Sequence, residues 1–395
     1  MSTFHVTGVA STETNTRYSG CPYTTNARYL IRLLVQNGHT VFHYCNVRSE
    51  TEAEDVYVTP ENFLVDALGE NHKTQYHADP KPPIWGRVCR DFSIACAHEI
   101  RKRIQPRDFV ILTSDGVQDV IELLQDIESI PIVESNIGYH DPVAEFRIFH
   151  THTWRASWRA RSERAFEIHD MFKDSEHSID YNPNVMVPIT DTRRVTDTVI
   201  LPMFDSQDFQ FSEKKDYYYL FLGRIIMSKG ILEAIELTAH IGAKLIIAGP
   251  GDFETEFGMK PPRHVEFMGM ANLETRANLL AHAKCLLAFT QYNEPCGYIV
   301  PEASHSGTPV VATATGGFTE TVEDGVNGFT GDCFADWVEA TEKLETLDPQ
   351  KIRQYAEDNF SLKSQSPKYE QYFKRIEIYM KNRDSEDSEY FAYRD

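Results

Sequence analysis

No apolar stretch of the chain is long enough to cross a membrane. Runs such as Cys285–Phe289 fall far short of the ~18 residues a spanning helix needs. Met1-Ser-Thr-Phe-His5 has neither the basic start nor the apolar core of a signal peptide. Cysteine is scarce: the 7 residues, at 21, 45, 89, 96, 285, 296 and 333, form no C-x-x-C pair. An odd, scattered set reads as reduced thiols rather than disulfides or zinc ligands. Positive charge is short too, with 39 Lys+Arg against 59 Asp+Glu and a formal charge of -20. That balance repels a polyphosphate backbone and excludes a general nucleic-acid binder, although a local basic patch can still grip one phosphorylated small molecule. No G-x-G-x-x-G follows the first apolar run, which disfavours a dinucleotide oxidoreductase. The expectation is a cytoplasmic globular protein, with no transmembrane segment and nothing to indicate a peripheral membrane contact. At 395 residues it is long enough for two domains.

Short apolar runs alternate with helical patterns. Phe4–Val9 reads as a first strand and Thr24–Gln36 as a helix, whose Ala27, Leu30, Ile31, Leu34 and Val35 recur at the spacing of one buried face. Asn37-Gly38 stops it. Thr40–Tyr44 and Phe109–Thr113 read as strands, Val117–Ile127 as a helix and Ile130–Val133 as a further strand. The rhythm restarts with strand Tyr217–Leu222, helix Ile231–Ile241, and strands Lys244–Ala248, Cys285–Phe289 and Pro309–Thr313. Strands alternating with helices imply parallel, doubly wound sheets whose ligands bind at the carboxyl ends of the strands. The division expected is a first domain over 1–190, a polar linker over 191–216, a second domain over 217–365 and a C-terminal segment over 366–395. That segment comprises a helix, Pro367–Lys381, packing back on the first domain, and a solvated acidic tail around Asp384–Glu389.

The densest chemistry lies between Leu220 and Gly328. Gly223 permits a tight turn after a strand, and Arg224 and Lys229 follow it. A guanidinium fork and an ammonium point charge together suit a diphosphate. Glu294 and Glu302 stand eight positions apart, at most ~12 Å if helical. Carboxylates accept well from vicinal hydroxyls, and the helix start between them presents free N–H groups to an anion. Gly316 and Gly317, opening another helix, would let backbone amides approach phosphate.

In order, G-R-x4-K-G, E-P-x-G-x4-E, G-T-P-V-V-A and G-G-x-x-E-x-V-x-D-G-x-N-G-F resemble the donor half of retaining family-4 glycosyltransferases. The match covers residues 217–330. Val133–Tyr139 and Phe146–Trp154 are similar, less strongly, to a signature of one bacterial and viral subset. The resemblance implies the GT-B architecture, two Rossmann-like doubly wound domains facing a central cleft. It implies transfer of a sugar from a nucleoside-diphosphate sugar to a glycan or other hydroxyl acceptor, with retention. Arg224 and Lys229 would hold the diphosphate, Glu294 the sugar hydroxyls and Glu302 the ribose. The amides of Gly297, Tyr298 and Ile299 would line the phosphates. No Asp-x-Asp occurs to hold a divalent ion, as the other large glycosyltransferase fold does. Neither metal nor other cofactor is therefore expected beyond the co-substrate.

On the acceptor side the family's glycine-rich loop after the first strand would be Arg17–Pro22. Gly20 is there a single glycine where two are common, followed by Cys21. A first-domain histidine commonly faces the reacting centre in relatives. His140, directly after Gly138-Tyr139, ranks first, and His150 and His152 remain open, with Tyr139 a further acceptor candidate. The pair His150-x-His152 lacks a third ligand nearby and is read as no zinc site. Trp154, Arg155, Trp158, Arg159, Arg161 and Arg164 read as a packed helix with solvated arginines. Two alternatives stay open: a nucleotide-sugar epimerase of the same fold, and a sugar-nucleotide-binding protein without catalysis.

Overall fold

The computed structural model describes residues 1–70, 72, 84–161 and 196–383. Arg164, positions 191–195 of the expected linker and the acidic run Asp384–Glu389 lie outside the described residues. The chain divides into two compact units. One comprises 1–150, 155–200 and 366–395, and the other 151–154 and 201–365. Among the described residues no helix is long and apolar enough to cross a membrane.

The first unit is built on seven strands: β1 Thr3–Thr7, β2 Thr40–Cys45, β3 Glu54–Tyr57, β4 Phe109–Leu112, β5 Ile132–Ile137, β6 Phe146–Phe149 and β7 Asp197–Val199. They run parallel in the order β3-β2-β1-β4-β5-β6-β7. All four residues of β4 are buried, as a central parallel strand covered on both faces requires. The helix Pro22–Gln36 places proline at its first position, where no N–H is needed. It buries Ala27, Leu30, Ile31 and Leu34 together, and Gly38 ends it at φ 82°.

Three of the expected segments come out differently. The expected helix Val117–Ile127 is a turn at Asp115–Val117 and a short helix Asp119–Leu123. The Leu124 N–H forks between the carbonyls of Val120 and Ile121, a tightening that ends regular helix. The region expected as linker contains β7. Asp197 pairs with the buried Arg147 at 2.7 Å and with Arg159 at 2.9 Å, so ion pairing rather than apolar patterning makes that edge strand. The C-terminal helix spans Leu362–Arg383 and starts before Pro367. Ser361 Oγ caps it by accepting the Ser364 N–H at 3.0 Å. Farther along, Phe373 packs on Phe4 and Phe109 at 4.8 and 5.3 Å between ring centroids, and the Tyr372 hydroxyl donates to the Thr196 carbonyl.

The second unit holds β8 Tyr218–Leu222, β9 Lys244–Ala248, β10 Val265–Gly269, β11 Cys285–Ala288, β12 Val310–Thr313 and β13 Gly328–Gly331. The order is β10-β9-β8-β11-β12-β13, again all parallel. Alternate residues serve opposite faces. Tyr219, Phe221, Leu245, Ile247 and Leu287 enter one core with Trp337 and Phe289, while Leu220, Leu222, Ile246, Leu286 and Val310 enter the other. Residues 201–216, also expected as linker, belong to this unit. The Phe204 N–H donates to the Phe360 carbonyl and the Leu362 N–H returns to the Phe204 carbonyl. Lys215 Nζ donates to Ala281 O, Ser306 O and Thr308 Oγ1 at 2.7, 3.1 and 2.8 Å.

Strand order reverses between β1 and β4 in one sheet and between β8 and β11 in the other. Ligands of open α/β sheets bind beyond the carboxyl ends of the strands at such points.

Candidate functional site

The segments leaving β8 and β11 carry the residues singled out above. The Gly223 N–H donates to the Ala248 carbonyl. Gly230, at φ +77°, passes so close to β11 that a Cβ there would lie 2.0 Å from Phe289 O. The two loops are further tied by the Gln291 N–H donating to Ser228 O at 2.8 Å. This pinning brings Lys229 Nζ to 2.6 Å from Glu294 Oε2, with the ammonium 4.8 Å from the centre of the Tyr292 ring. Burial alone would lower the Lys229 pKa, but Glu294 and Tyr292 outweigh it and hold the ammonium above its ordinary value. Burial and Glu294 raise the Tyr292 phenol, while Lys229 and Arg224 pull it the other way. Arg224, Lys229, Tyr292 and Glu294 therefore share one electrostatic neighbourhood at the reversal point of the second sheet.

Glu302 lies in the helix Ile299–His305 and is 5% exposed. Its carboxylate pairs with Arg276 of the helix Leu273–His282. Burial raises the Glu302 pKa and Arg276 opposes it. Each carboxylate of the E-x7-E pair thus has its own cation. The sequence reading missed Arg276 and Tyr292. Arg276 carried a usable signal, since it falls in a stripe with Leu279, Leu280 and Ala283, all buried. A cation on an apolar face calls for a partner that accepts from it.

The glycines serve packing first. Gly297, at φ +71°, passes the Phe318 ring, which a Cβ would meet at 2.2 Å. Tyr298 lies edge-on to Phe204 at 5.9 Å, and Ile299 opens the helix carrying Glu302. Gly316, at φ +58°, sits under Glu294, whose backbone nitrogen a Cβ would meet at 2.6 Å. The Gly317 N–H, expected to approach phosphate, instead donates to the Glu294 carbonyl at 2.7 Å.

In the first unit, Gly20 is exposed and Cys21 buried at the start of the helix Pro22–Gln36. Burial pushes the Cys21 thiol up. Asn46 organises the loop after β1 by donating to the carbonyls of Val9, Ala10 and Thr12. His140 is exposed after β5, its pKa lowered by desolvation and by Arg161. Tyr139 is buried, and its hydroxyl donates to Glu134 at 2.9 Å. Glu134 also accepts the N–H groups of Val143 and Ala144, which fixes the loop that carries His140. His150 is a buried histidine at the end of β6, its pKa pushed down to about 4 by burial.

Within the second unit's 151–154 segment, the backbone N–H groups of His152 and Thr153 donate to Glu320 at 2.8 and 2.6 Å, and the His152 residue is exposed. This starts a helix over 152–161 in which Trp154 and Trp158 are buried. A different group, His43, Cys45 and Asp55, brings three ligand-type atoms within 4.8 Å of one another. The imidazole there is already engaged, Nδ1 with Asp55 at 2.7 Å and Nε2 with Thr14 at 3.3 Å.

Residues 203–359 match the family Glycosyl transferases group 1. An uncharacterized glycosyltransferase, MJ1607 of Methanocaldococcus jannaschii, is 35% identical over 120 residues, 28% of this chain and 30% of that protein. The glycogen synthase of Pseudomonas syringae pv. tomato is 32% identical over 130 residues, 31% of this chain and 26% of the synthase. The chain thus matches about a third or less of these relatives' lengths. Among solved structures, the sucrose-phosphate synthase of Thermosynechococcus elongatus aligns with a TM-score of 0.63 at 15% identity, over 96% of this chain and 100% of that one. AviGT4, a glycosyltransferase involved in avilamycin A biosynthesis, gives 0.61 at 18% identity, over 95% and 98%. HepE of Anabaena, in complex with UDP-glucose, gives 0.57 at 14% identity, over 96% and 100%. At these identities the likeness is one of fold. Residues 203–359 thus match the Glycosyl transferases group 1 family, and the chain's two parallel α/β sheets have the GT-B fold of these solved structures.

Proposed function

We propose that the chain is a glycosyltransferase that moves a sugar from a nucleoside-diphosphate sugar to a glycan or other hydroxyl acceptor, with retention and without a metal ion. The observation that carries this reading is the meeting of Arg224, Lys229, Tyr292 and Glu294 where the second sheet reverses, with the buried Glu302 on the following helix. Residues 217–365 then take the donor and residues 1–190 the acceptor.

The chemistry follows from charge. Breaking the bond between sugar and diphosphate leaves a second negative charge on the leaving phosphate. Arg224 and Lys229 are fixed cations that favour that charge as it grows, and fixed donors need no reorganisation during the step. Glu294 accepts from sugar hydroxyls and orients the anomeric carbon. Glu302 accepts from the ribose hydroxyls, which binds the nucleotide without touching the reacting bond. His140, exposed on its anchored loop, is the first candidate to meet the acceptor. Retention comes from the family resemblance.

The test is a panel of UDP- and GDP-sugars, with and without glycan acceptors and in the presence of EDTA, scored for release of nucleoside diphosphate. One donor should be consumed slowly by water, and Arg224→Ala or Glu294→Ala should reduce that by about 10²–10³-fold. Proton NMR of the transferred sugar reads the anomeric configuration. If no donor is consumed with any acceptor, the proposal fails. Conversion of the sugar while still attached to its nucleotide would identify an epimerase.

A further inference from the structure

We infer that the Lys229–Glu294 ion pair is a specificity device, which makes the site hold the intact sugar nucleotide in preference to the nucleoside diphosphate left after transfer. The inference rests on the donor-site reading above and goes beyond it, because that reading assigns each residue a ligand and gives the pair itself no role.

The pair is short and sheltered, with 2.6 Å between Nζ and Oε2 and side chains 19% and 14% exposed. The backbone beneath each partner is held in place. Lys229 ends a turn locked by Gly230 against Phe289 and rests over the Tyr292 ring. Glu294 has its carbonyl held by the Gly317 N–H, and its backbone nitrogen lies against Gly316. A phosphate that reaches Lys229 therefore arrives beside the Glu294 carboxylate, 2.6 Å from the ammonium.

An ammonium has three donors and can hold Glu294 and a phosphate oxygen at once, so the ligands differ in what they offer the carboxylate. A sugar nucleotide presents hydroxyl donors next to its diphosphate, and these satisfy Glu294. A nucleoside diphosphate has no sugar there and carries an additional ionisable oxygen on its terminal phosphate, which faces the carboxylate directly. Two like charges a few ångströms apart in a half-buried site repel strongly enough to change affinity by a factor of ten or more. Once the sugar has left, Glu294 and the terminal phosphate compete for Lys229, and the nucleotide is held less tightly than the intact donor.

The experiment is isothermal titration calorimetry of the full chain with two ligand pairs, UDP with UDP-glucose and GDP with GDP-mannose. Wild type should bind the sugar nucleotide of one pair more tightly than its diphosphate. Glu294→Gln removes the charge and keeps the shape. It should tighten the diphosphate about tenfold and weaken the sugar nucleotide, reversing their order. Glu294→Asp keeps the charge and should keep the wild-type order, and thermal melts of both variants establish that they fold. If Glu294→Gln shifts both ligands in the same direction, or if wild type does not prefer the sugar nucleotide, the inference is overturned while the donor site stands. If neither pair binds wild type, the donor-site reading itself falls.

Discussion

The Gly317 N–H donates to the Glu294 carbonyl at 2.7 Å, so the G-G turn is the floor on which the Glu294 loop rests. A Cβ on Gly317 would lie 2.5 Å from Cys296 Cα and 2.9 Å from Pro295 O. Backbone must then move, and the moved segment is the one that presents Glu294. Gly317→Ala should cost about 2 kcal/mol of stability and, if Glu294 acts as proposed, lower kcat/KM for the donor about 10²-fold, since small misplacements at a reacting centre cost that much. Urea unfolding and steady-state kinetics check the two parts, and wild-type turnover in the variant would refute the second.

Arg276 favours the charged form of the buried Glu302. Burial raises the Glu302 pKa above its ordinary value and Arg276 opposes this, so removing the guanidinium raises it further. In the donor role proposed for Glu302, a protonated acid is a weaker acceptor for the ribose hydroxyls than the carboxylate. Arg276→Met should weaken nucleotide binding at neutral pH, and the loss of binding on acidification should begin at higher pH than in wild type. The measurement is Kd against pH from 5 to 8. Superimposable profiles would show that Arg276 has no electrostatic part in binding.

Acid should destabilise both units through buried histidines. Burial pushes His150 to about 4 from an ordinary 6.5, and burial followed by the Arg353 charge does the same to His305. Between pH 6.5 and 4 the unfolded chain takes up protons that the folded chain refuses, so stability falls as pH drops through that window. The contribution is on the order of 3 kcal/mol for each residue. His305 stacks on Phe209 at 5.3 Å, so His305→Phe keeps the stack and removes the titration. Its urea midpoint should fall less between pH 7 and pH 4.5 than that of wild type, and equal falls would contradict the assignment.

Lys215 closes the ends of two helices, accepted by Ala281 O, Ser306 O and Thr308 Oγ1. Lys215→Met leaves these oxygens without their donor and should cost about 3 kcal/mol. Sugar-nucleotide affinity should be unchanged, since none of these groups belongs to the proposed donor site. Unfolding curves and titration calorimetry on the same variant separate the two effects.

The central strands were readable because they contain unbroken apolar runs, Phe109–Leu112, Leu245–Ala248 and Val310–Ala312. The outer strands β3 and β7 were not. Glu54-Asp-Val-Tyr57 and Asp197-Thr-Val199 are short and polar, and in the described fold Asp55 is held by His43 and Asp197 by Arg147. Their strand character rests on partners about 12 and 50 positions away, which no local pattern records.

The candidate site divides along the same line. Spacing along the chain determined by itself that Gly223, Arg224 and Lys229 follow one strand and that Glu294 and Glu302 flank a helix start, because neighbours in sequence are bound to stay near in space. Only the tertiary structure decided that Lys229 meets Glu294 from 65 positions away and Arg276 meets Glu302 from 26. It also directed the Gly317 amide to the Glu294 carbonyl rather than to an anion. Those meetings depend on β8 and β11 lying side by side, an adjacency fixed by sheet order and by the glycines that let the loops approach.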